Sequence, residues 1–405
     1  MKKELAAAPK VFEFSGGYIR SGIGINSKGG DQVAFQAPGA YSKYRLGNET
    51  ETYGELGFGV NWMNPDHTAT WFKTYAMLAV VAPRNSTFDT LDAIAVRQAY
   101  AEAGHIVDSK PDMTVWAGQR FYRRKDVHIT DFFFHDMSAY GAGFQDLKLG
   151  AGKPKLAVAY LGSSNNPGAM DPPAEYGRIL KNTFDVRLYD IPAGKGTLEF
   201  WLNPTLVVDQ SKDVTYNGFG GGVFYFMPVM GGFNEASVEF GFGGSANFSP
   251  GLETSIDSSG WMLRFVDRAT VQPSKKLSVM WTGVLQLDNK NGKSDGALGE
   301  SSRGNLWISA GARPVYMLGK YAGIAVEGGV DIVQPETEGA ETGVLGKLTV
   351  APLIRPAMDF WARPELRAFV TAAFWNDNIK GAVGEAPYAD ETFGLTAGVQ
   401  MESWW

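Results

Sequence analysis

The sequence predicts an all-β protein, a transmembrane antiparallel β-barrel, and three observations support this fold class. The chain of 405 residues contains 50 glycines, 13% aromatic residues and only 20% charged residues, a composition typical of turns and amphipathic strands. Segments of strand-like sequence recur between Gly, Asn, Asp and Pro. The clearest is the segment 393–405, which has one apolar face and one small or polar face. That pattern suits a strand with lipid outside and a polar lumen inside.

The segment 393–405 also predicts the directions of its two tryptophans, because neighbouring side chains on a strand lie on opposite faces. Trp405 shares a face with Phe393, Leu395, Ala397, Val399 and Met401. Trp404 shares the other face with Gly394, Thr396, Gly398, Gln400 and Glu402. We therefore expect Trp405 to face lipid and Trp404 to point into a lumen.

Further strands are predicted along the chain, although any one of them could equally belong to a soluble sandwich. Alternation is imperfect in places, and 223–227 is apolar on both faces. The stretch Asp89–Gly104 has a helical composition and is interpreted as a loop followed by a strand. The predicted segments are Lys155–Leu161, Gly196–Leu202, Gly221–Met227, Ala236–Phe242, Leu277–Leu287, Leu306–Met317, Tyr321–Val333, Gly346–Pro352 and Arg363–Phe374.

The connections differ in length in a way typical of outer-membrane barrels, which have short turns at one end and long loops at the other. The turn 193–196 is tight, whereas 162–176, 288–305 and 375–391 are long, polar and rich in Gly, Asn and Pro. No linker or composition break divides the chain. We expect residues 1–10 to be a remnant of processing or cloning and 11–405 to form a single barrel domain.

Several classes of protein are excluded by composition. The longest nearly apolar run, 75–83, is far shorter than the roughly 20 residues of a membrane helix. A net charge of −6 argues against nucleic acid as a partner. The absence of cysteine excludes disulfides, thiolate nucleophiles and cysteine-based metal sites.

A series of motifs carries a resemblance to a known family. The motifs are YIRSGIG at 18–24, SKYRLGNE at 42–49, ETYGEL at 51–56, WAGQRFY at 116–122, RKDVHITDF at 124–132, FDVRL at 184–188, MLR at 262–264, WARPELR at 361–367 and QMESWW at 400–405. In this order they resemble the maltoporins, the sugar-specific porins of Gram-negative outer membranes, whereas the long loops match poorly. The resemblance implies a homotrimer of 18-stranded barrels with short periplasmic turns, long extracellular loops and one constricting inward loop. It also implies passive diffusion of maltodextrin-like oligosaccharides, surrounding lipid and lipopolysaccharide, no cofactor and no enzymatic activity.

The resemblance further implies two sets of sugar-binding residues. The first is an aromatic slide on which sugar rings stack, and its positions correspond to Tyr18, Tyr53, Phe233, Trp361 and Trp404. Phe88 corresponds to a loop aromatic that reaches the pore mouth of a neighbouring subunit. A polar track and constriction match Arg20, Arg45, Glu55, Arg97, Arg124, Asp126, His128, Asp131 and Phe133. Aromatic side chains offer a flat apolar surface for the C–H face of a sugar, while arginines and carboxylates donate to and accept from its hydroxyls.

Side-chain parity supports these positions independently of the resemblance. Tyr18 shares a face with Arg20, Tyr53 shares one with Glu55, and Trp361 shares one with the charged residues of 363–367. Aromatic residues that share a strand face with charged residues are expected to point toward the lumen. The alternatives are an interfacial aromatic girdle for the rings and simple charge balance or ion selectivity for the arginines.

The chain departs from the family pattern at three places. Phe133 stands where the constriction usually has a tyrosine, and the family's cysteine pair of the first loop falls at Ala34 and Thr50. Gly16-Gly17 adds one residue before Tyr18, which predicts a β-bulge. We hypothesise that Phe133 widens the tolerance of the pore for other sugars.

Other functions remain as alternatives. Within the same fold, the chain could be a general or sucrose-type porin. In a different class it could be an outer-membrane barrel enzyme or a soluble glycan-active protein, with Asp126 and Asp131 as paired carboxylates. A metal site at His128 and His135 is disfavoured. Aromatic candidates spread over the whole chain favour a channel, since an enzyme would concentrate them around one carboxylate pair.

Overall fold

The computed structural model describes residues 11–82, 93–150, 154–164, 179–210, 213–253, 256–289, 305–335 and 340–405. The described residues form strands joined by turns and loops, with three single-turn 3-10 helices at His128–Thr130, Asp377–Ile379 and Ala386–Tyr388. No helix within these ranges combines the length and apolar character that a membrane crossing requires. The strands are β1 (Val11–Asn26), β2 (Thr52–Met63), β3 (Trp71–Ala82), β4 (Ala93–Gly104), β5 (Thr114–Arg120), β6 (Lys125–Val127), β7 (Phe132–His135), β8 (Ala139–Lys148), β9 (Lys155–Ser164), β10 (Ile179–Ala193), β11 (Gly196–Asp209), β12 (Val214–Val229), β13 (Gly232–Gly243), β14 (Trp261–Ser274), β15 (Leu277–Asn289), β16 (Asn305–Met317), β17 (Ala322–Gln334), β18 (Gly343–Ile354), β19 (Glu365–Trp375) and β20 (Phe393–Trp404).

Eighteen of these strands form one closed antiparallel barrel. Each barrel strand pairs with the next along the chain, β5 pairs with β8, and the first strand pairs with the last, Tyr18 lying opposite Trp404. Strands β6 and β7 pair only with each other, inside the connection between β5 and β8. The prediction of an 18-stranded antiparallel barrel is therefore confirmed.

The two ends of the barrel have connections of different length. One end carries the long loops 27–51, 121–138, 244–260 and 376–392. The other carries tight turns, among them 194–195, 230–231 and 275–276. We refer to them as the long-loop end and the short-turn end.

The two faces of the barrel wall differ chemically, as β19 illustrates. In β19 the outward Leu366, Val370 and Phe374 are exposed, whereas the inward Arg367 and Thr371 are buried. Water-soluble proteins have the reverse arrangement, with apolar side chains buried and polar ones exposed. Polar side chains inside and large apolar ones outside therefore indicate an exterior that faces lipid.

Two long loops fold into the barrel and supply much of its interior packing. The ring of Tyr44, in loop 27–51, lies so close to Gly311 and Gly329 that any side chain there would clash with it, at 2.4 and 2.1 Å from a Cβ. The backbone of Leu46 accepts a hydrogen bond from Lys347 at 2.5 Å. Loop 121–138, hereafter the inward loop, buries Ile129, Phe134 and other apolar side chains against the barrel wall.

Local details both agree with and correct the sequence predictions. The register shifts between Phe14 and Gly17, which confirms the predicted bulge. The predicted strand 363–374 is wrong at its start, because β19 begins at Glu365; Trp361 and Arg363 lie in the turn 355–364. Phe88 lies outside the described residues.

Candidate functional site

A cavity of about 810 Å³ lies in the lumen between the barrel wall and the inward loop. Thirteen of the fifteen site residues named from the sequence line it; Phe88 is not described, and Phe233 lies elsewhere in the barrel. Asp136 lines it as well, although the resemblance did not place it among the sugar-binding residues. The lining residues are Tyr18, Arg20, Arg45, Tyr53, Glu55, Arg97, Arg124, Asp126, His128, Asp131, Phe133, Asp136, Trp361 and Trp404.

Four aromatic rings, three from barrel strands and one from the turn 355–364, follow one another along one side of the cavity. The ring centroids of Tyr53 and Tyr18 are 6.0 Å apart, and Tyr18 and Trp404 are stacked at 6.5 Å with an interplanar angle of 12°. Trp361 continues the series at 6.3 Å from Trp404. Because Tyr18 lies opposite Trp404 in the ladder of β1 and β20, the backbone itself fixes this spacing.

Guanidinium groups lie over these rings. Arg20 lies over Tyr53 and Tyr18, with its Cζ 5.2 and 5.9 Å from the two ring centroids. Arg363 lies 3.8 Å from the centroid of Trp404. Cations over an aromatic face are attracted by the ring quadrupole and keep both partners in place.

A buried carboxylate, Glu402, joins the aromatic and charged residues. It accepts hydrogen bonds from the Tyr18 hydroxyl at 2.9 Å and from Arg363 and Arg367 at 3.1 Å each, and it lies 3.2 Å from Arg45. The alternating pattern of 393–405 placed Glu402 on the lumen face. Its role as a common partner could not be predicted from the sequence, because its partners come from three separate segments, at Tyr18, at Arg45 and at 363–367.

Elsewhere in the cavity lining, Arg124 of the inward loop contacts two phenyl rings of the same loop. Its Cζ lies 4.0 Å from the centroid of Phe121 and 3.8 Å from that of Phe133, and its Nε donates to Asp136 at 3.1 Å. Phe133 is 38% exposed to the cavity. The cavity lining here therefore consists of an exposed phenyl ring, which has no hydroxyl, and of a guanidinium in contact with Phe121, Phe133 and Asp136.

Ion pairs hold the inward loop against the barrel wall. Lys125 Nζ lies 2.5 Å from Glu235 and 3.4 Å from Glu199. Arg268, which also pairs with Glu235, donates to the backbone oxygen of Asp126. These wall residues come from β11, β13 and β14, so the loop is held at several separate strands.

His135 is a second anchor of the loop, and its protonation state follows from geometry. Its Nε2 lies 2.6 Å from Arg187, and its Nδ1 lies 2.6 Å from Glu239. A guanidinium only donates, so Nε2 accepts and Nδ1–H donates to the carboxylate. Burial, together with the charge of Arg187, lowers the pKa of His135 well below its ordinary value, so the imidazole is neutral.

His128 lies against the aromatic series. Its ring centroid is 5.2 Å from that of Trp361 and 5.5 Å from that of Trp404. Burial, followed by the nearby charge of Arg45, lowers its pKa well below 6.5. His128 therefore supports the two tryptophans as a neutral ring.

Phe233 lies outside the cavity, in the second position of β13 next to the turn 230–231. Its ring stacks on Phe226 at 5.6 Å and 21°, and Arg268 lies 5.4 Å from its centroid. Through Arg268 it is linked to the Asp126 backbone, and hence to the cavity lining.

Comparisons with known proteins identify the family. The sequence pattern of the LamB porins matches residues 12–405. Among solved structures, the outer membrane channel DcaP of Acinetobacter baumannii matches with a TM-score of 0.51 and 13% identity, covering 99% of this chain and 98% of that chain. OmpF of Salmonella typhi, solved in complex with daunomycin, matches with a TM-score of 0.49 and 11% identity over 98% and 97% of the two chains. The family match spans nearly the whole chain: the protein belongs to the LamB porin family and is a channel of the bacterial outer membrane.

Proposed function

We propose that this porin is selective for maltose and maltodextrin-like oligosaccharides, which slide along Tyr53, Tyr18, Trp404 and Trp361. The observation that carries the proposal is the unbroken series of ring contacts of 6.0 to 6.5 Å along the cavity. A linear chain of pyranose rings offers an apolar face at each residue, so it can move from ring to ring without losing contact.

Charged residues of the cavity provide hydrogen-bond partners for the hydroxyl groups of the sugar. Sugar hydroxyls both donate and accept, and Arg20, Glu55, Arg97, Asp126 and Asp131 provide partners of both kinds along the lining. Many weak sites in succession suit a conducting pore, since one tight site would retain the substrate.

The resemblance to maltoporins also leads us to propose a homotrimer embedded in outer-membrane lipid and lipopolysaccharide. The outward apolar face of each strand supports the lipid contact. Chemical cross-linking of the purified protein in detergent tests the assembly, with a trimer as the expected product and an exclusively monomeric product as the contradicting one.

Conductance in planar bilayers tests the substrate class. Titration with maltohexaose is expected to block the open channel in a concentration-dependent manner, because the sugar occupies the cavity. Sucrose, added to the same membranes, is expected to block less, since it spans fewer rings. Conductance without block by any maltodextrin would contradict the proposed selectivity and indicate a general porin. Stronger block by sucrose than by maltohexaose would indicate a sucrose-type porin.

The phenyl ring of Phe133 provides a test of sugar preference. We propose that the missing hydroxyl widens the range of accepted sugars, because the exposed ring beside Arg124 offers stacking without a directional hydrogen bond. Phe133→Tyr is expected to change the ratio of maltohexaose to sucrose affinity by about three- to tenfold, the effect of about one hydrogen bond. Unchanged affinities and transport rates for both sugars would contradict this role.

A further inference from the structure

The segment 223–227, which is apolar on both faces, contains two phenylalanines that point into the barrel. Phe226 lies opposite Thr197 on β11 and opposite Glu235 on β13. Glu235 faces the lumen, because it binds Lys125 of the inward loop. Directly opposed residues of a ladder project to the same face, so Phe226, and with it Phe224 two residues earlier, faces the lumen.

The two lumen-facing rings differ in what covers them. Phe224 is only 1% exposed, because Lys125 and the ring of His135 pack on it. Phe226 is 42% exposed although it faces the interior of the barrel. Contiguous apolar surface exposed in a polar lumen is typical of a ligand-binding surface, and Phe226 does not stand alone.

Phe226 forms a flat, paired surface with Phe233. The two rings are stacked at 5.6 Å with an angle of 21°. Arg268 lies over the Phe233 ring, held there by Glu235. The pair is three residues from the end of β12 and next to the turn 230–231, so it lies toward the short-turn end of the barrel.

We propose that Phe226 is an additional sugar-binding residue, and that it forms with Phe233 a two-ring platform on which a pyranose stacks as it leaves the pore. The inference rests on the proposed function, because it assigns a second sugar-stacking surface to the same lumen. Arg268 provides hydrogen-bond donors beside the platform, and the Asp126 carboxylate 3.9 Å from it provides an acceptor. The combination of exposed rings with a charged pair repeats the chemistry of the main cavity.

The outward side of the same strand supplies a matched control. Phe219 is also 42% exposed, but it lies opposite Pro204 and the Phe242 ring on the lipid-facing side. Phe226 and Phe219 therefore differ in the face they occupy while sharing residue type, strand and exposure.

Maltohexaose block of the full-length channel in planar bilayers tests the platform. Phe226→Leu, which keeps apolar volume but removes the ring, is expected to weaken block by about three- to tenfold. Phe219→Leu, the matched change on the lipid-facing side of the same strand, is expected to be blocked as the wild type is. Block by Phe226→Leu equal to the wild type, in a preparation where Trp404→Ala is weakened, overturns the platform and leaves the slide intact. Absence of block in the wild type overturns both.

Discussion

The two walls of the lumen cavity are built by different forces. On the strand wall, Tyr18 and Trp404 lie opposite each other in a continuous hydrogen-bonded ladder, so backbone register sets their spacing. On the loop wall, Arg124 and Phe133 belong to a segment whose two strands pair only with each other, and side-chain ion pairs and hydrogen bonds hold it to the barrel.

This difference separates two properties of the channel. The aromatic surface should persist as long as the barrel is closed, whereas the width of the cavity depends on buried charges that must all remain paired. A buried charge that loses its partner is costly, so the loop wall is the more fragile of the two.

The largest effect is expected from removing Arg187, which pairs with Asp185 at 2.8 Å and with Glu199 at 2.5 Å and donates to His135 of the inward loop. Arg187→Met leaves two carboxylates without their guanidinium. We expect a loss of about 3–5 kcal/mol in the free energy of unfolding and a higher single-channel conductance, because the loop loses an anchor. Urea unfolding in detergent micelles and bilayer recordings measure the two quantities.

A surface ion pair provides the control for Arg187→Met. Lys148 and Asp112 lie 2.8 Å apart, with both side chains about half exposed. Lys148→Met is expected to leave stability and conductance unchanged, since exposed pairs contribute little. Equal losses in the two variants would contradict the account of the loop wall.

The strand wall is tested by its two neighbouring tryptophans. Trp404→Ala removes a ring from the middle of the aromatic series and is expected to weaken maltohexaose block by about tenfold, because stacking area is lost on both sides. Trp405→Ala removes an outward-facing ring and is expected to leave block unchanged. A larger effect at Trp405 than at Trp404 would reverse the assignment of faces.

A smaller effect is expected from Phe121, one of the two rings on Arg124. Phe121→Leu removes this contact and the one with Arg97, whose Cζ lies 5.3 Å from the same ring. Phe133 and Asp136 still hold Arg124, and Glu55 still pairs with Arg97, so we expect maltohexaose block to weaken by only about threefold. Phe72→Leu, at an exposed outward position of β3, is the control. A complete loss of block in Phe121→Leu would mean that Arg124 depends on this ring alone.

The smallest effect concerns pH. Burial lowers the pKa values of His128 and His135 well below 6.5, so both stay neutral in the folded channel while the unfolded chain takes up protons near that pH. Stability should therefore fall as the pH drops from 7 to 5, whereas maltohexaose block should stay constant between pH 8 and 6. His135→Gln is expected to reduce the pH dependence of unfolding. A change of block centred near pH 6.5 would show that a histidine of the site titrates.

Alternation of side chains was sufficient to predict much of the barrel. It assigned opposite faces to Trp404 and Trp405 and placed Glu402 toward the lumen, because a strand leaves no other choice. It correctly gave Trp361 a lumen position but wrongly assigned it to a strand, since parity alone cannot distinguish a turn that reaches into the lumen from the start of a strand.

Contacts between side chains of distant segments could not be predicted from the sequence. The role of Glu402 depends on Arg45, which comes from a loop more than 350 residues earlier. Phe226 was hidden because 223–227 is apolar on both faces, and only the pairing with Thr197 and Glu235 shows which ring is exposed in the lumen. The family motifs located most of the cavity, but they gave no account of how the inward loop is anchored.

A crystal structure of the protein with maltohexaose tests the central claim most directly. We expect glucose rings stacked in succession on Tyr53, Tyr18, Trp404 and Trp361, with their hydroxyls bonded to Arg20, Glu55 or the charged groups of the inward loop. Sugar bound away from these rings, or a lumen without sugar at concentrations that block conductance, would contradict it.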